Sequence, residues 1–325
     1  MQPQVSIITP SYNQARFLPA AMESVFRQDF PDLEYFVVDG ASTDLSPKII
    51  QDQAEKLNWW VTEQDQGQAD AVNKGILRSG GEIIGWLNSD DLYLPNAVRN
   101  AVKAFREHPD AGIVFGNAVS ADGDGRLLNL LEFGPRSTEE LLQFRMICQP
   151  AVFMKRSVLI KAGLLDSSYH FFLDHELWIR MSRIAPLVHI PETWAVSRYH
   201  QDAKNVTMAS ECGKEIYRIL EWAEKEKDLR KIFQQQRGRI MGGAYQIHAR
   251  YELDAGNSKN ALSLYYQAFI SWPAQFRVFW HRFLFSLLGL VGLSFLGDWY
   301  YSIKNRKPLS LDLEGYTNWP GLQSK

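Results

Sequence analysis

The stretch EIIGWLNSDD, from Glu82 to Asp91, carries the strongest structural signal in this chain of 325 residues. Its apolar first part, Glu82–Leu87, predicts a buried strand, and the polar residues that follow predict a strand end that faces solvent. The adjacent carboxylates of Asp90 and Asp91 repel one another unless a cation lies beside them. The pair therefore indicates either a divalent-cation site or a solvated turn, where aspartate is also common.

Short apolar runs alternate with helical patterns on both sides of this stretch, over the first hundred residues. Strands are also predicted at 5–9, 35–38 and 59–62, and helices at 15–28, 46–56, 68–78 and 95–107. Strands that alternate with helices of this length form right-handed βαβ units around a parallel sheet. We therefore predict an α/β fold with a Rossmann-like, mostly parallel sheet flanked by helices.

Polar residues follow each predicted strand of this region. They are the groups at 9–13, at 39, at 63–65 and at 88–91. Ligands bind outside the carboxyl ends of the strands in an open parallel sheet, so these residues are expected to meet in one crevice. The polar stretch 65–75 lacks both the dinucleotide fingerprint and the phosphate loop, which disfavours dinucleotide-dependent oxidoreductases and P-loop enzymes.

Two later segments also contain acidic residues. Strands at 113–119 and 126–131 are predicted to form a hairpin, and its acidic turn at 121–125 fits turn chemistry better than an incomplete calcium loop. Asp174 stands at a predicted helix start, and Glu176 points about 200° away from it on the helix. Either carboxylate is a candidate general base, and helix capping is the structural alternative for Asp174.

Together these segments resemble inverting glycosyltransferases of family 2, which have the GT-A fold. The matching segments are 5–13, 38–44, 65–75, 87–91, 149–153 and 173–180. The resemblance extends to about residue 207 and implies a GT-A domain with a helical C-terminal extension. It also implies a nucleotide-sugar donor, with UDP as the expected nucleotide, and Mn²⁺ or Mg²⁺ as the metal.

The same resemblance assigns roles to particular side chains. Those on the donor side are Pro10, Ser11, Tyr12, Asp39 (at the uracil ring), Asp70, Asn73, Lys74 and Asp90. Asp91 is the expected metal ligand, His200 a second metal ligand or a diphosphate ligand, and Asp174 the catalytic base. Because Leu173 replaces the acidic residue that the family often has before the base, Glu176 remains the competing carboxylate.

Composition limits the partners and the location of the protein. A formal net charge of −2 gives no global basic field, so nucleic acid is not expected as a partner. Cys148 and Cys212 match no metal or redox spacing, as expected in a reducing compartment. The N-terminus has no signal-peptide pattern, so we expect a cytoplasmic protein.

The chain after residue 209 is dominated by helical patterns. Residues 244–273 resemble a single tetratricopeptide-like hairpin, and 283–297 are largely apolar. The apolar part is about 22 Å long as a helix, short of the roughly 30 Å hydrocarbon core. Residues 278–301 are therefore expected either to lie in a membrane interface or to form a buried helix.

We divide the sequence into four parts on these grounds. They are a nucleotide-sugar-binding half at 1–105, an acceptor and base half at 106–209, a helical extension at 210–273 and an apolar tail at 274–325. The expected acceptor is a saccharide or a lipid-linked sugar, in polysaccharide or glycolipid synthesis. The alternatives are a sugar-nucleotide nucleotidyltransferase and a catalytically silent scaffold that acts through its helical tail.

Overall fold

The structure is a computed structural model, and it describes residues 4–200, 211–293, 295–296 and 319–322. The chain forms two compact units. The first comprises Met1–Ser137, Ile147–Tyr199 and the described residues near the C-terminus, and it contains the sheet. The second comprises Thr138–Met146 and His200–Pro308, and its described part is helical. The four-part division drawn from the sequence remains a prediction.

The first unit contains nine strands among its described residues. They are β1 (Val5–Ser11), β2 (Leu33–Asp39), β3 (Trp59–Thr62), β4 (Ile83–Trp86), β5 (Leu92–Tyr93), β6 (Ile113–Asp122), β7 (Leu127–Leu131), β8 (Val152–Lys155) and β9 (Leu187–Tyr199). Its helices are α1 (Leu18–Phe26), α2 (Ser46–Asp52), α3 (Gln68–Arg78), α4 (Ala97–Glu107), α6 (Arg156–Ala162) and α7 (Leu173–Ser182). A 3-10 turn, Gln149–Ala151, precedes β8.

The sheet confirms the predicted fold class. Its strand order is β3-β2-β1-β4-β8-β6-β9-β5, with β7 paired to β6. The first four strands in this order are parallel, β6 and β9 are also parallel, and β8 is antiparallel to both of its neighbours. The strand order reverses between β1 and β4, which is where an open α/β sheet forms its ligand crevice.

The carboxyl ends of the first strands lie side by side, as predicted. Ser11 pairs with Asp39, and Asp39 pairs with Thr62, so β1, β2 and β3 end level with one another. The amide of Leu87, just after β4, donates to the carbonyl oxygen of Ile8 in β1 at 3.0 Å. The polar residues that follow the four strands therefore share one edge of the sheet.

Helix α1 begins later than predicted, at Leu18 rather than near Ala15. The amides of Asn13, Gln14 and Ala15 donate to the side chains of Ser42, Ser46 and Asp44, at 2.8, 3.1 and 2.9 Å. Asn13 is also in the left-handed region, with φ of 53°. Side-chain acceptors on the next loop thus compete with the helical pattern and keep this segment as a loop.

The core lies on both faces of the central strands. All seven residues of β1 are buried, which is typical of a parallel strand covered on both sides. Gly75 lets α3 lie against this strand, because a side chain there would overlap Ile8.

The predicted hairpin is confirmed as β6 and β7. Its turn is held by hydrogen bonds from the main-chain N–H groups of Asp124 and Arg126 to Oδ1 of Asp122.

The second unit is a set of packed helices. They are α5 (Thr138–Leu142), α8 (Cys212–Lys225), α9 (Lys227–Asp254), α10 (Ser258–Ser271) and α11 (Phe276–Leu290). The predicted helical hairpin is present: the end of α9 packs on α10 through Ala249, Ala261 and Tyr265, with Gly256 at φ of 81° in the turn. Within the described ranges, no helix is long and apolar enough to cross a bilayer.

Candidate active site

Asp91 lies between β4 and β5 with its carboxylate held in one orientation. Its Oδ1 accepts the main-chain N–H of Arg198 at 3.0 Å, and its Oδ2 accepts a longer bond from Asn88 Nδ2 at 3.3 Å. The pairing of β5 with β9 brings Arg198 to this position from 107 residues away. The residue is only 5% exposed, so the contacts determine which way the carboxylate points.

Asn88 is the centre of a hydrogen-bond network around this carboxylate. Its Oδ1 accepts from Gln68 Nε2 at 2.7 Å and from Trp86 Nε1 at 2.8 Å. Its Nδ2 donates to Asp91 and also to Gln149 Oε1 at 3.0 Å. Gln149 in turn donates to the carbonyl oxygen of Trp86 at 2.5 Å. The network ties β4, α3 and the turn before β8 to the metal-ligand candidate.

The electrostatics of the aspartate pair favour a cation. Burial raises the pKa of Asp91, and the negative charge of Asp90 raises it further, against the opposing bonds from Arg198 and Asn88. The Arg198 guanidinium donates to the carbonyl oxygen of Asp90 at 3.2 Å and supplies one positive charge nearby. The pKa of Asp91 stays raised despite this charge, so its ionised form is disfavoured until a further positive charge lies beside it.

The donor set fits a hard divalent cation bound jointly with substrate. Each oxygen of Asp91 accepts one of the hydrogen bonds given above and has two lone-pair positions, which leaves room for a metal bond. Among the described residues no cluster of three or more His, Cys, Asp or Glu side chains forms a cation cage. Mg²⁺ typically binds through one or two carboxylates plus substrate phosphates, and this site offers that arrangement.

The predicted nucleoside pocket lies at the ends of β1 and β2. Tyr12 is 62% exposed, whereas the neighbouring Ser11 is buried and its hydroxyl has no partner among the described residues. Asp39 is completely buried and accepts both the hydroxyl and the amide of Ser42, at 2.5 and 3.0 Å. The pocket therefore combines an open aromatic ring with a buried, oriented carboxylate.

The predicted donor wall on α3 is held by local contacts. Lys74 Nζ lies 2.9 Å from Glu63 Oε1 and 3.3 Å from Asp70 Oδ2, and the hydrogen bond with Glu63 is the main cause of its raised pKa. Asn73 bonds to Leu165: its Nδ2 donates to the carbonyl oxygen of Leu165 at 2.8 Å, and its Oδ1 accepts the main-chain N–H of Leu165 at 3.1 Å. Asn73 thus links α3 to the loop that follows α6.

The two candidate bases have different surroundings on α7. Asp174 is half-buried in the first turn, and its Oδ1 accepts the amide of His175 at 2.7 Å. Glu176 is buried and forms two hydrogen bonds of 2.7 Å with the guanidinium of Arg180. The ion pair occupies both oxygens of Glu176.

Cys148 connects the regions of the metal and base candidates. Burial raises the pKa of its thiol, and the charges of Asp91 and then Asp174 raise it further, against a hydrogen bond with Ser197. The thiol is therefore within electrostatic reach of both carboxylates. No signal in the sequence indicates a role for Cys148, although this residue directly precedes the segment 149–153, which resembles the family.

His200 directly follows the last residue of β9 and belongs to the second unit. Its side chain is buried. The predicted role of His200 as a second metal ligand remains a prediction.

Solved structures with the same architecture identify the fold as GT-A. S. aureus TarS 1-349 in complex with UDP-GlcNAc is 15% identical, with a TM-score of 0.59 over 81% of this chain and 87% of that one. The mannosyltransferase PcManGT from Pyrobaculum calidifontis, in complex with GDP-Man and Mn²⁺, is 18% identical, with a TM-score of 0.59 over 91% of this chain and 88% of that one. At this identity the likeness concerns the fold alone.

Sequence comparison then identifies the family. The profile of Glycosyl transferase family 2 matches residues 6–163. A PGL/p-HBAD biosynthesis glycosyltransferase of Mycobacterium bovis is 31% identical over 182 residues, which are 55% of this chain and 69% of that protein. An uncharacterized glycosyltransferase of Rickettsia typhi is 28% identical over 253 residues, 75% of this chain and 77% of that protein. This chain belongs to glycosyl transferase family 2 and is a glycosyltransferase.

Proposed function

We propose that this glycosyltransferase moves a sugar from a uridine diphosphate donor to an acceptor hydroxyl, with inversion at the anomeric carbon. The observation that carries the proposal is the buried carboxylate of Asp91, which Arg198 and Asn88 hold in one orientation, together with the separate carboxylate of Asp174. One carboxylate is buried and oriented at the strand-end crevice, and the other stands half-buried at a helix start. A leaving-group site and a separate base are what a single displacement needs.

The chain's own residues perform the proposed reaction as follows. Asp174 takes the proton of the acceptor hydroxyl, and the hydroxyl oxygen attacks the anomeric carbon. The bond from that carbon to the diphosphate oxygen breaks, and its electron pair leaves with the nucleoside diphosphate. One in-line step inverts the configuration. Asp174 is the residue that the family resemblance assigns as base, and both oxygens of Glu176, the competing carboxylate, are bonded to Arg180.

The donor side of the proposed site follows the predicted residues. Pro10, Ser11 and Tyr12 contact the nucleoside, with Asp39 at the uracil ring and Asp90 at the ribose or diphosphate. Residues on α3 form the donor wall, namely Asp70, Asn73 and Lys74. Asp91 holds Mn²⁺ or Mg²⁺, with His200 as the second ligand. A bound divalent cation neutralises charge that develops on the departing diphosphate.

The relatives support an acceptor in glycolipid or polysaccharide synthesis. The Mycobacterium bovis relative is described as a PGL/p-HBAD biosynthesis glycosyltransferase. We propose that the acceptor of this chain is a saccharide or a lipid-linked sugar.

A face of the second unit supports peripheral membrane binding near such an acceptor. Trp280, Leu284 and Leu287 are 52%, 42% and 40% exposed, and their spacing places them on one side of α11. The sequence from 255 to 297 contains no Asp or Glu, whereas it contains Lys259, Arg277 and Arg282. An apolar, tryptophan-bearing helix with basic neighbours is typical of a surface that binds anionic lipid.

We accordingly propose that α11 brings the enzyme to an anionic membrane surface, on the cytoplasmic face. The membrane contact is predicted from the sequence for residues 278–301. Within that range, residue 294 and residues 297–301 lie outside the described residues.

A panel of donors tests the reaction. The purified full chain is incubated with UDP-glucose, UDP-N-acetylglucosamine, UDP-galactose or GDP-mannose, with Mn²⁺, with Mg²⁺ or with chelator. We expect metal-dependent release of UDP from one UDP-sugar. Turnover of GDP-mannose alone contradicts the nucleotide assignment, and equal turnover in chelator contradicts the metal. With an acceptor found, NMR of the product's anomeric configuration distinguishes inversion from retention.

A further inference from the structure

The described residues 319–322 lie against the strand end that carries Asp90 and Asp91. Trp319 Nε1 donates to the carbonyl oxygen of Tyr93, two residues after Asp91, at 2.7 Å. The carbonyl oxygen of Gly321 accepts from Arg198 Nη2 at 2.8 Å. This segment therefore bonds both to β5, across 226 residues, and to Arg198 beside the aspartate pair, across 123 residues.

Arg198 connects that segment to both aspartates. Its main-chain N–H orients Asp91, and its guanidinium Nη1 donates to the carbonyl oxygen of Asp90. The guanidinium also lies over the ring of Phe17, 5.5 Å from the ring centroid. Nη1 of the guanidinium bonds to Asp90 and Nη2 bonds to Gly321, so one planar group links Asp90 to residues 319–322. Any shift of Gly321 therefore acts on Arg198.

Two glycines make this close approach possible. Gly321 has φ of 68°, and a side chain at this position would overlap Arg198 Nη2 and crowd Ala20. Gly125, in the turn between β6 and β7, has φ of 84°, and a side chain there would overlap the Gly321 carbonyl oxygen. Gly125 thus supplies the positive φ that the turn needs, and its lack of a side chain leaves space for residues 319–322.

Apolar packing holds the segment in place. Trp319 and Leu322 pack against a buried cluster of residues from β5, β6 and β9, with Leu94 next to β5; the cluster consists of Leu92, Leu94, Ala121 and Val196. This cluster is separate from the main core of the sheet. Because its members flank Asp91 and Arg198 in the chain, the segment packs on the same strands that carry the proposed metal site.

We propose that residues 319–322 are a positioning element of the donor site, in which Gly321 sets the Arg198 guanidinium and through it the geometry of Asp90 and Asp91. The inference rests on the proposed binding of a nucleoside diphosphate and cation at this pair. It assigns to the C-terminal segment a part in donor binding. Arg198 acts through the aspartates and is a positioning residue.

The test compares one substitution at two glycines in the full-length protein. Gly321→Ala puts a methyl group where Arg198 lies. Gly256→Ala is the matched control, because Gly256 also has positive φ, 81°, but nothing lies within 4 Å of the added methyl. Both changes strain the backbone in the same way. The readouts are thermal unfolding against UDP concentration at saturating Mn²⁺, and the donor KM and kcat for UDP release.

Gly321→Ala is expected to raise the UDP concentration for half-maximal thermal shift, and the donor KM, by about tenfold, since small misplacement of binding groups has effects of this size. Gly256→Ala is expected to leave both values unchanged. Trp319→Phe keeps the apolar packing and loses only the indole N–H, so a smaller change in the same direction is expected. This variant also serves if Gly321→Ala does not fold.

Each outcome has a distinct meaning. The positioning role is overturned if Gly321→Ala and Trp319→Phe both bind UDP as tightly as the control, Gly256→Ala. Tighter binding or faster turnover also overturns it, because the segment would then obstruct the site. A wild-type protein that shows neither a UDP-dependent shift nor release of UDP contradicts the proposed function itself.

Discussion

Glu176 and Arg180 form a bidentate ion pair one turn apart on α7, with Nε bonded to Oε1 and Nη2 to Oε2, both at 2.7 Å. The same guanidinium donates to the carbonyl oxygens of Ala162 and Leu164, at the end of α6 and just after it. Glu176 therefore neutralises an arginine that joins two helices. Asp174, on the first turn of the same helix, is the carboxylate to which the proposed chemistry belongs.

Exchanging each carboxylate for its amide separates the two roles. Asp174→Asn is expected to lower kcat for transfer by about 10²–10⁴-fold, the usual size of a general-base contribution, with UDP binding unchanged. Glu176→Gln is expected to lower the free energy of unfolding by about 3 kcal/mol, because it leaves the mostly buried Arg180 without a counter-charge. Kinetics and denaturant unfolding of both variants measure the difference. Full transfer activity in Asp174→Asn removes that residue from the role.

Asp91→Asn is expected to abolish the response to cation without weakening the fold. Burial and Asp90 raise the pKa of Asp91, so its ionised form opposes folding when no cation is bound. The variant is therefore expected to unfold at no lower temperature than the wild type in chelator. With UDP and Mn²⁺ at about a hundred times Kd, the wild type gains about 2.7 kcal/mol and the variant gains much less.

The control for that experiment is Asp52→Asn, at an exposed carboxylate paired with Lys48. It is expected to respond to UDP and Mn²⁺ as the wild type does. An Asp91→Asn protein that is stabilised as strongly as this control would show that Asp91 is not the ligand.

Asn88→Ala tests the network around Asp91. The change removes the partner of three polar groups, the amide of Gln68, the indole N–H of Trp86 and Gln149 Oε1. We expect a loss of about 1–3 kcal/mol in the free energy of unfolding, the usual cost of unsatisfied buried groups. A fall of about tenfold in kcat/KM for the donor is also expected, since Asp91 loses one of the two bonds that orient it. Unchanged kinetics in a folded variant would assign the network to stability alone.

Replacing two exposed side chains on α11 tests the membrane surface. The double variant Trp280→Ser, Leu287→Ser is expected to lose about tenfold in binding to vesicles of equal parts phosphatidylcholine and phosphatidylglycerol, measured by co-sedimentation at low salt. Leu77→Ser is the matched control, because Leu77 is 68% exposed on the first unit. Equal sedimentation of the double variant and the control contradicts the assignment of this face.

His248 is expected to make the helical unit sensitive to acid. Burial lowers the pKa of His248 more than the charge of Glu252 raises it, and its Nδ1 lies 3.0 Å from the hydroxyl of Tyr217. His248 binds a proton near pH 6.5 in the unfolded chain and only at lower pH in the folded chain. The stability that its neutral form contributes is therefore present above about pH 6.5 and is lost as the pH falls below that value. The free energy of unfolding should therefore fall less between pH 7 and 5 in His248→Gln.

His108→Gln, at an exposed histidine, is the control for the pH series. It is expected to reproduce the wild-type slope. The same slope in all three proteins would show that His248 does not couple folding to pH.

Much of the sheet could be predicted because its signals are local. The apolar runs and helical patterns of the first hundred residues determine four strands and the helices between them, and β3 and α3 begin and end where predicted. Parallel strands also share a carboxyl edge, so the position of Asp39 on the same edge as the residues that follow β4 is a consequence of strand order. Helix α1 begins later than the sequence predicts. The main-chain N–H groups of Gln14 and Ala15, which the local pattern assigns to a helix, donate hydrogen bonds to the side chains of Ser46 and Asp44 instead.

Other parts of the site depend on partners that are remote in sequence. β5 has only two residues, too few for a periodic pattern, and it exists through its pairing with β9. That pairing brings Arg198 to Asp91. The ion pair of Glu176 likewise depends on where Arg180 lies, and a helical wheel does not contain the carbonyl oxygens of Ala162 and Leu164 that orient its guanidinium. The assignment of Asp174 as the base stays a prediction.

The sequence by itself determined the α/β class, the family and the aspartate pair as a candidate cation site, since these follow from periodicity and contiguous motifs. The tertiary structure decided which side chains hold that pair: Asn88 and Arg198 around Asp91, and residues 319–322 around Arg198. The physical reason is that hydrogen bonds and packing depend on distance in space. In this chain a strand pairing brings Arg198 to Asp91 across 107 residues, and a side-chain hydrogen bond joins Arg198 to Gly321 across 123 residues.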